Sequence, residues 1–304
     1  MRSLVTSHGI WEIREGIILR LTDDLGRVGW GEIAPISWFG SETLEQALLF
    51  CRQLSEELTD GTVFSIPDNL PACQFGFESA IREIGNGDWG DKEENFSFSP
   101  SPLLTYSALL PAGEAALLVW RTLWEQGYRT FKWKIAVYPI AEELKIFKAL
   151  AQALPASTKL RLDANGGLSY EAANLWLWTC DHIKTNNEFP LEIEFIEQPL
   201  SVDQFDAMLN LSYCYSTAIA LDESVATLNQ LTACYQKGWR GIFVIKPGIV
   251  GSPYRLRQFC QQYEIDAVFS SVFETSIGRK ASLQLATELS RHNRAVGFGV
   301  NYFT

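Results

Sequence analysis

Two patterns of apolar spacing divide the chain. Near the start, apolar positions alternate along Ile17–Leu21 and Val28–Ala34, on either side of Asp23-Asp24-Leu25-Gly26, which predicts a β-hairpin. Ser41 opens SETLEQALLFCRQLSEEL, whose apolar residues recur at helical spacing, with Ser41 as the expected N-cap. A second helix is expected over Pro71–Ile84, and the polar stretch Gly85–Pro102 reads as a linker. From Leu103 onward short apolar runs alternate with longer segments of helical period. Strands are expected at Leu104–Leu109, Thr130–Ile135, Lys159–Asp163, Glu192–Glu197, Ala218–Asp222, Gly241–Lys246, Ala267–Ser271 and Ala295–Phe298. The helices between them are expected at Gly113–Gln126, Ala141–Leu154, Tyr170–Lys184, Val202–Leu211, Leu228–Lys237, Pro253–Tyr263 and Ser276–Arg291. This alternation implies parallel strands covered by helices. The number of strand segments favours a closed barrel. An open doubly wound sheet would need a phosphate loop, and no GxGxxG or Walker sequence is present.

Composition narrows the classes. The 304 residues suffice for one α/β barrel or two medium domains. No apolar run reaches the ~18 residues of a membrane span, and MRSLVTSHGIWEIREG lacks the apolar core of a signal peptide. The net charge of −11, without a basic cluster interleaved with aromatics, argues against nucleic acid as a partner. The 6 cysteines form no CxxC pair and read as reduced thiols of a cytoplasmic protein. A monomer or small homo-oligomer is expected.

The chemistry lies at the ends of five successive apolar runs. FKWKI, LRLDAN, IEFIEQP, AIALDES and FVIKPG end on Lys134, Asp163, Glu197, Asp222 and Lys246. A parallel barrel gathers the carboxyl ends of its strands at one mouth, where such folds place their active sites. Three carboxylates there repel unless a hard cation neutralises them, and oxygen ligation suits Mg²⁺. Strand alternation puts Lys132 and Lys134 on one face, and their mutual repulsion is expected to lower the pKa of one, as a general base requires. A KxK pair alone is more often a solvated pair on an edge strand, and a single acid is as readily a helix N-cap. The complete series outweighs both. Glu194 and Glu197, three apart, are expected on opposite strand faces. Of Asp222 and Glu223, only Asp222 is expected to point inward. Lys246 lies four strands around the barrel from Lys134, on the opposite side of the mouth. None of His8, His182 and His292 falls at a barrel strand end, so histidine catalysis is not expected. Trp38, in ISWFGSE, is a candidate pocket wall.

The order KxK, DAN, EQP, DE, KPG resembles the enolase superfamily in its muconate-lactonising subgroup, over nearly the whole chain. HGIWEIREGIILRL, GRVGWGEIAP, RLDANGGL, LDES and SSVFETSIG extend the likeness. The resemblance implies an α+β capping domain over 1–100 and a (β/α)7β modified TIM barrel over 101–304. It implies Lys134 as base with Lys132 as its partner, and Lys246 across the substrate. Asp163, Glu197 and Asp222 would hold Mg²⁺, with Mn²⁺ a substitute, and Asn165 would support them. Arg161, Ser270 and Gly297 fall at substrate-contacting positions. Within the subgroup the likeness runs to dehydratases of quinone biosynthesis. These convert 2-succinyl-6-hydroxy-2,4-cyclohexadiene-1-carboxylate to its aromatic product for menaquinone or phylloquinone. Racemases of N-acylamino acids and dipeptide epimerases are the alternative, because opposed lysines also serve two-base racemisation. The epimerases' acidic DxD is missing from GFGVNYF, however. Muconate cycloisomerase is a weaker option. A non-catalytic carboxylate-binding barrel would leave two opposed lysines without a purpose. Against the family pattern, the chain begins close to the first cap strands and stops soon after the last barrel segment.

Overall fold

The computed structural model describes residues 4–6, 9–11, 13–85, 104–186 and 189–299. His8 and nearly all of the expected linker lie outside them. Two antiparallel pairs begin the chain, β1 (Leu4–Thr6) with β2 (Gly9–Trp11) and β3 (Ile17–Thr22) with β4 (Val28–Ile33). The second pair is the expected hairpin. Asp23 Oδ1 accepts from the Leu25 and Arg27 amides at 3.1 and 2.8 Å, and Gly26 supplies the left-handed residue at φ 77°.

Three helices follow, α1 (Leu44–Gln53), α2 (Asp60–Phe64) and α3 (Pro71–Ile84). The N-cap of α1 is Thr43, not Ser41. Thr43 and Gln46 close a reciprocal capping box, while the Ser41 hydroxyl accepts from the Ile36 amide at 2.6 Å. Helix α3 lies directly on β4. A Cβ on Gly31 would fall 2.0 Å from the Gly76 carbonyl oxygen, so only glycine permits this backbone contact.

The remainder is a ring of parallel strands, each followed by helix. In chain order the elements are β5 (Ser107–Leu110), α4 (Ala116–Glu125), β6 (Thr130–Lys134), α5 (Ile140–Ala153), β7 (Lys159–Asp163) and α6 (Tyr170–Asn186). They continue with β8 (Glu192–Glu197), α7 (Phe205–Cys214), β9 (Ile219–Leu221), α8 (Leu228–Gln236), β10 (Ile242–Ile245), the short α9 (Pro247–Val250), α10 (Pro253–Gln262), β11 (Asp266–Phe269) and α11 (Ser276–Leu289). These strands form one 7-stranded sheet in sequential order. The strand expected at Ala295–Phe298 is reduced to two parallel bridges, Tyr106↔Val296 and Ser270↔Gly297, which close the ring between β11 and β5. Glycines fit this seam because space is short: a Cβ on Gly297 would lie 2.6 Å from Ser270 Oγ, and one on Gly299 2.2 Å from the Ser107 carbonyl oxygen. Helix α9 was not expected.

Apolar side chains fill two layers. Trp133, Leu162, Ile196 and Ile245 point outward under the helices, while Phe195, Ala220, Ile242, Val244 and Val268 fill the barrel interior. That alternation aims every second side chain at the strand ends inward, toward the mouth.

Candidate active site

The mouth is built by register. Lys134 pairs with Asp163 across β6–β7, and Asp163 with Glu197 across β7–β8, so three of the expected residues stand on consecutive strands at one level. Asp222 and Lys246 each follow the last residue of their strands, β9 and β10. Lys132 Nζ lies 2.9 Å from both Asp163 Oδ2 and Glu197 Oε1, and Lys246 Nζ is bonded to Asp222 Oδ1. Lys132, Lys134, Asp163, Asp222 and Lys246 line one cavity of about 170 Å³. Glu197 is buried just beneath it.

Two neighbours hold the acids in place. Gln198, buried and left-handed at φ 38°, accepts from the Asp222 and Ser224 amides through Oε1 at 3.0 and 3.2 Å. Its Nε2 donates to Leu200 O and Ser224 Oγ at 2.9 and 2.8 Å. Asn165, at φ 43°, bridges two acids: its amide donates to Asp163 Oδ1 and its Nδ2 to Glu223 Oε1, both at 3.1 Å. Asp222 and Glu223 both line the cavity, against the expectation of one. The chain turns into a 3-10 helix at Glu223, which ends the two-residue alternation. Sequence reasoning passed over Gln198, and its only signal was an amide between a strand end and a proline.

A second expectation fails through a bulge. The β7–β8 register shifts between Leu160 and Arg161, leaving Glu194 outside the ladder. Glu194 therefore turns inward as Glu197 does, and its carboxylate takes Arg161 Nε at 2.7 Å and Arg294 Nη1 at 2.6 Å. Arg161 is fully buried, stacks over Phe195 at 4.9 Å, and is not among the cavity's lining residues. Its Nη2 has no partner. Ser270 and Gly297 do line the cavity, at the seam. Trp38 joins them, edge-on to Trp11 at 5.5 Å, and Phe273 meets Trp11 from the barrel side at 6.1 Å.

Electrostatics mark the acids out. Burial, then the Asp163 charge, pushes Glu197 up to about 7, and burial pushes Asp222 up to about 6 although Lys246 opposes it. Glu223 is raised by burial and by Asp163, and its Oε2 is buried without a partner. Lys132 moves upward. Burial alone would lower it, but Asp163, Glu197 and Asp222 outweigh burial and raise it. Among the described residues no three His, Cys, Asp or Glu side chains are gathered as a ready metal cluster, and ammonium groups sit on oxygens of Asp163, Glu197 and Asp222. The donor set nonetheless fits a hard dication: oxygen ligands only, a surplus of buried negative charge, and an orphaned carboxylate oxygen on Glu223.

An acid-rich mouth on a ring of this topology, roofed by an α+β cap, defines a barrel of the enolase superfamily. Residues 115–301 match the enolase C-terminal domain-like family, and residues 3–84 match the MenC N-terminal domain family. The o-succinylbenzoate synthase of Thermosynechococcus vestitus is 41% identical over 98% of this chain and 88% of its own length. That of Aliivibrio fischeri is 30% identical over 90% of this chain and 78% of its own. A crystal structure of the Thermosynechococcus elongatus synthase, complexed with Mg in its active site, superposes with a TM-score of 0.86 at 40% identity, over 98% of this chain and 89% of that one. The L-Ala-D/L-Glu epimerase of Bacillus subtilis shares the fold at TM-score 0.76 and 21% identity, over 97% of this chain and 85% of that one. The chain belongs to the o-succinylbenzoate synthase family.

Proposed function

We propose that this protein dehydrates 2-succinyl-6-hydroxy-2,4-cyclohexadiene-1-carboxylate to 2-succinylbenzoate, with Lys134 as the base. The observation that carries the reading is the convergence of Lys134, Asp163, Asp222 and Lys246 on one small cavity, in a chain 41% identical to a curated synthase. Asp163, Glu197 and Asp222 would hold Mg²⁺, with Glu223 nearby and Mn²⁺ accepted in its place. When bound, the ion supplies Lewis-acid stabilisation of the negative charge that develops on the substrate carboxylate. Lys134 removes the proton alpha to that carboxylate. Lys246, as an ammonium on the opposite side, favours the same developing charge. The β-hydroxyl leaves with a proton from the newly protonated Lys134, and the ring becomes aromatic. Ser270 and the backbone at Gly297, which line the cavity, contact the substrate, and Arg161 supports the pocket from the layer below. The partner is a small carboxylate, with neither nucleic acid nor membrane involved, and the setting is a cytoplasmic monomer or small homo-oligomer supplying menaquinone or phylloquinone synthesis. No described helix is long and apolar enough to cross a membrane.

The test is conversion of the cyclohexadiene substrate in Mg²⁺, followed by ultraviolet absorbance. Lys134→Ala should lower kcat by about 10³-fold or more while the circular dichroism stays native, and near-wild-type turnover would remove Lys134 as the base. Chelation should abolish activity, with Mg²⁺ or Mn²⁺ restoring it. Full activity in excess chelator, with no metal found by elemental analysis, would sink the metal assignment.

A further inference from the structure

The chemistry above leaves two cap side chains unused. Glu32, in GWGEIAP at the end of β4, is 3% exposed. Arg14 lies in the segment between β2 and β3. Glu32 Oε1 and Oε2 accept from the Thr275 amide at 2.9 and 3.0 Å, and Oε2 also accepts from Thr275 Oγ1 at 2.5 Å and the Gly278 amide at 2.9 Å. All these donors lie at the start of α11. Arg14 Nε donates to Val272 O at 3.1 Å, its Nη1 to Pro35 O at 3.0 Å, and its Nη2 to Ala34 O. Arg14 thus ties the end of β4 to the barrel loop that follows β11.

Phe273 sits between the two anchors, Val272 and Thr275. Its φ of 60° is a left-handed conformation that an aromatic residue rarely adopts, so the surroundings must hold it. Its ring lines the active-site cavity and meets Trp11 of the cap. Within the loop, Glu274 Oε2 accepts from Ser271 Oγ and the Val272 amide, both at 2.7 Å, while Glu274 Oε1 is buried without a partner. The Arg14 charge is close enough to the buried carboxylates of Glu32 and Glu274 to interact with both. The approach depends on Gly278, where a Cβ would fall 2.8 Å from Glu32 Oε2.

We propose that Glu32 and Arg14 are positioning residues: they fix the loop from Ser270 to Thr275 against the cap, and so hold Phe273 against Trp11, completing the aromatic wall of Trp11, Trp38 and Phe273 that grips the substrate away from its reacting carbon. The inference rests on the function proposed above. A grip remote from the reacting bonds holds substrate and transition state alike, so its loss appears in KM and not in kcat.

Glu32→Gln, Arg14→Gln and Gly278→Ala would be assayed as Mg²⁺-loaded enzyme, each first shown to be folded at the assay temperature. Each should raise KM about tenfold and weaken 2-succinylbenzoate binding, read by tryptophan fluorescence, by a similar factor, with kcat within about threefold of wild type. A lower melting temperature with unchanged KM and product affinity would make the clasp purely structural and overturn the proposal. A fall in kcat at constant KM would overturn it too, by moving the clasp's effect into the chemical step. Should Glu32→Gln fail to fold, Gly278→Ala decides, because it keeps both charges. Absence of turnover in the wild type would refute the reaction and not the clasp, whereas variants matching an active wild type refute the clasp alone.

Discussion

Lys246 does not stand alone in the mouth. Its Nζ lies 4.1 Å from the centre of the Phe39 ring, so a cap aromatic faces a barrel ammonium. A partly desolvated cation–π contact is worth about 0.5–2 kcal/mol. Phe39→Leu keeps most of the volume and removes that contact, and kcat/KM is expected to fall about 2- to 30-fold. Steady-state kinetics check this, and an unchanged kcat/KM would mean that Asp222 alone positions Lys246. At this scale the strand-end residues were legible, because apolar runs ending on a charge identify the last inward position of a strand. Glu223 and Gln198 were not. One sits where the backbone leaves β-geometry for a 3-10 turn, the other at a left-handed φ, and neither change has a signature in the two-residue period. The direction of the Lys132 shift was also hidden, since it depends on three acids brought together from other strands.

Most elements lie within a few residues of their expected positions, and β7, β8 and α3 match at both ends. The failures share a cause: tertiary contacts that local pattern does not encode. The segment Ala295–Phe298 looked like a strand, but it pairs through single bridges at Val296 and Gly297, wedged between β5 and β11 where Gly297 has no room for a side chain. The bulge at Glu194 is the other case, and it has an energetic consequence. Glu194 is held between Arg161 and Arg294 in the barrel floor. Glu194→Gln leaves two guanidinium groups without their shared counter-charge and should cost about 3–5 kcal/mol, measured by denaturant unfolding. Burial pushes the Glu194 carboxyl up, but Arg161 and Arg294 outweigh it and hold it below its ordinary 4.5. A lowered folded pKa means that this contribution is fully present above about pH 4.5 and is lost as pH falls through the folded value. The acid limb of the wild-type stability profile should therefore be steeper than that of Glu194→Gln; parallel limbs would contradict the assignment. In the cap, Gly31→Ala pushes a methyl into the Gly76 carbonyl, where no side chain can yield. A loss of at least about 2 kcal/mol is expected by the same measurement.

The apolar interior of the cap extends into the barrel loops. Ile33, Ala47 and Phe77 of the cap form a single cluster with Ala226, Ile249 and Val272 of the barrel loops. The two parts should accordingly unfold together, with tryptophan fluorescence and far-ultraviolet circular dichroism giving one coincident transition. Two separated transitions would show that the shared interior is too small to couple them. The closed ring, the roofing cap and the ordering of the charged residues were all legible in the sequence. The division of the pocket wall between Trp11 and Trp38 on one side and Phe273 on the other was only partly so, because it depends on how two units dock. That docking has an evolutionary side. At the clasp, the cap's Arg14 and Glu32 bind mostly to main-chain atoms of the barrel: the Val272 carbonyl and the Thr275 and Gly278 amides. A joint that reads backbone makes few demands on the side chains opposite it. Most of the barrel loop can drift in sequence while the roof stays seated, and a roof carrying those two residues is portable to a barrel with different walls.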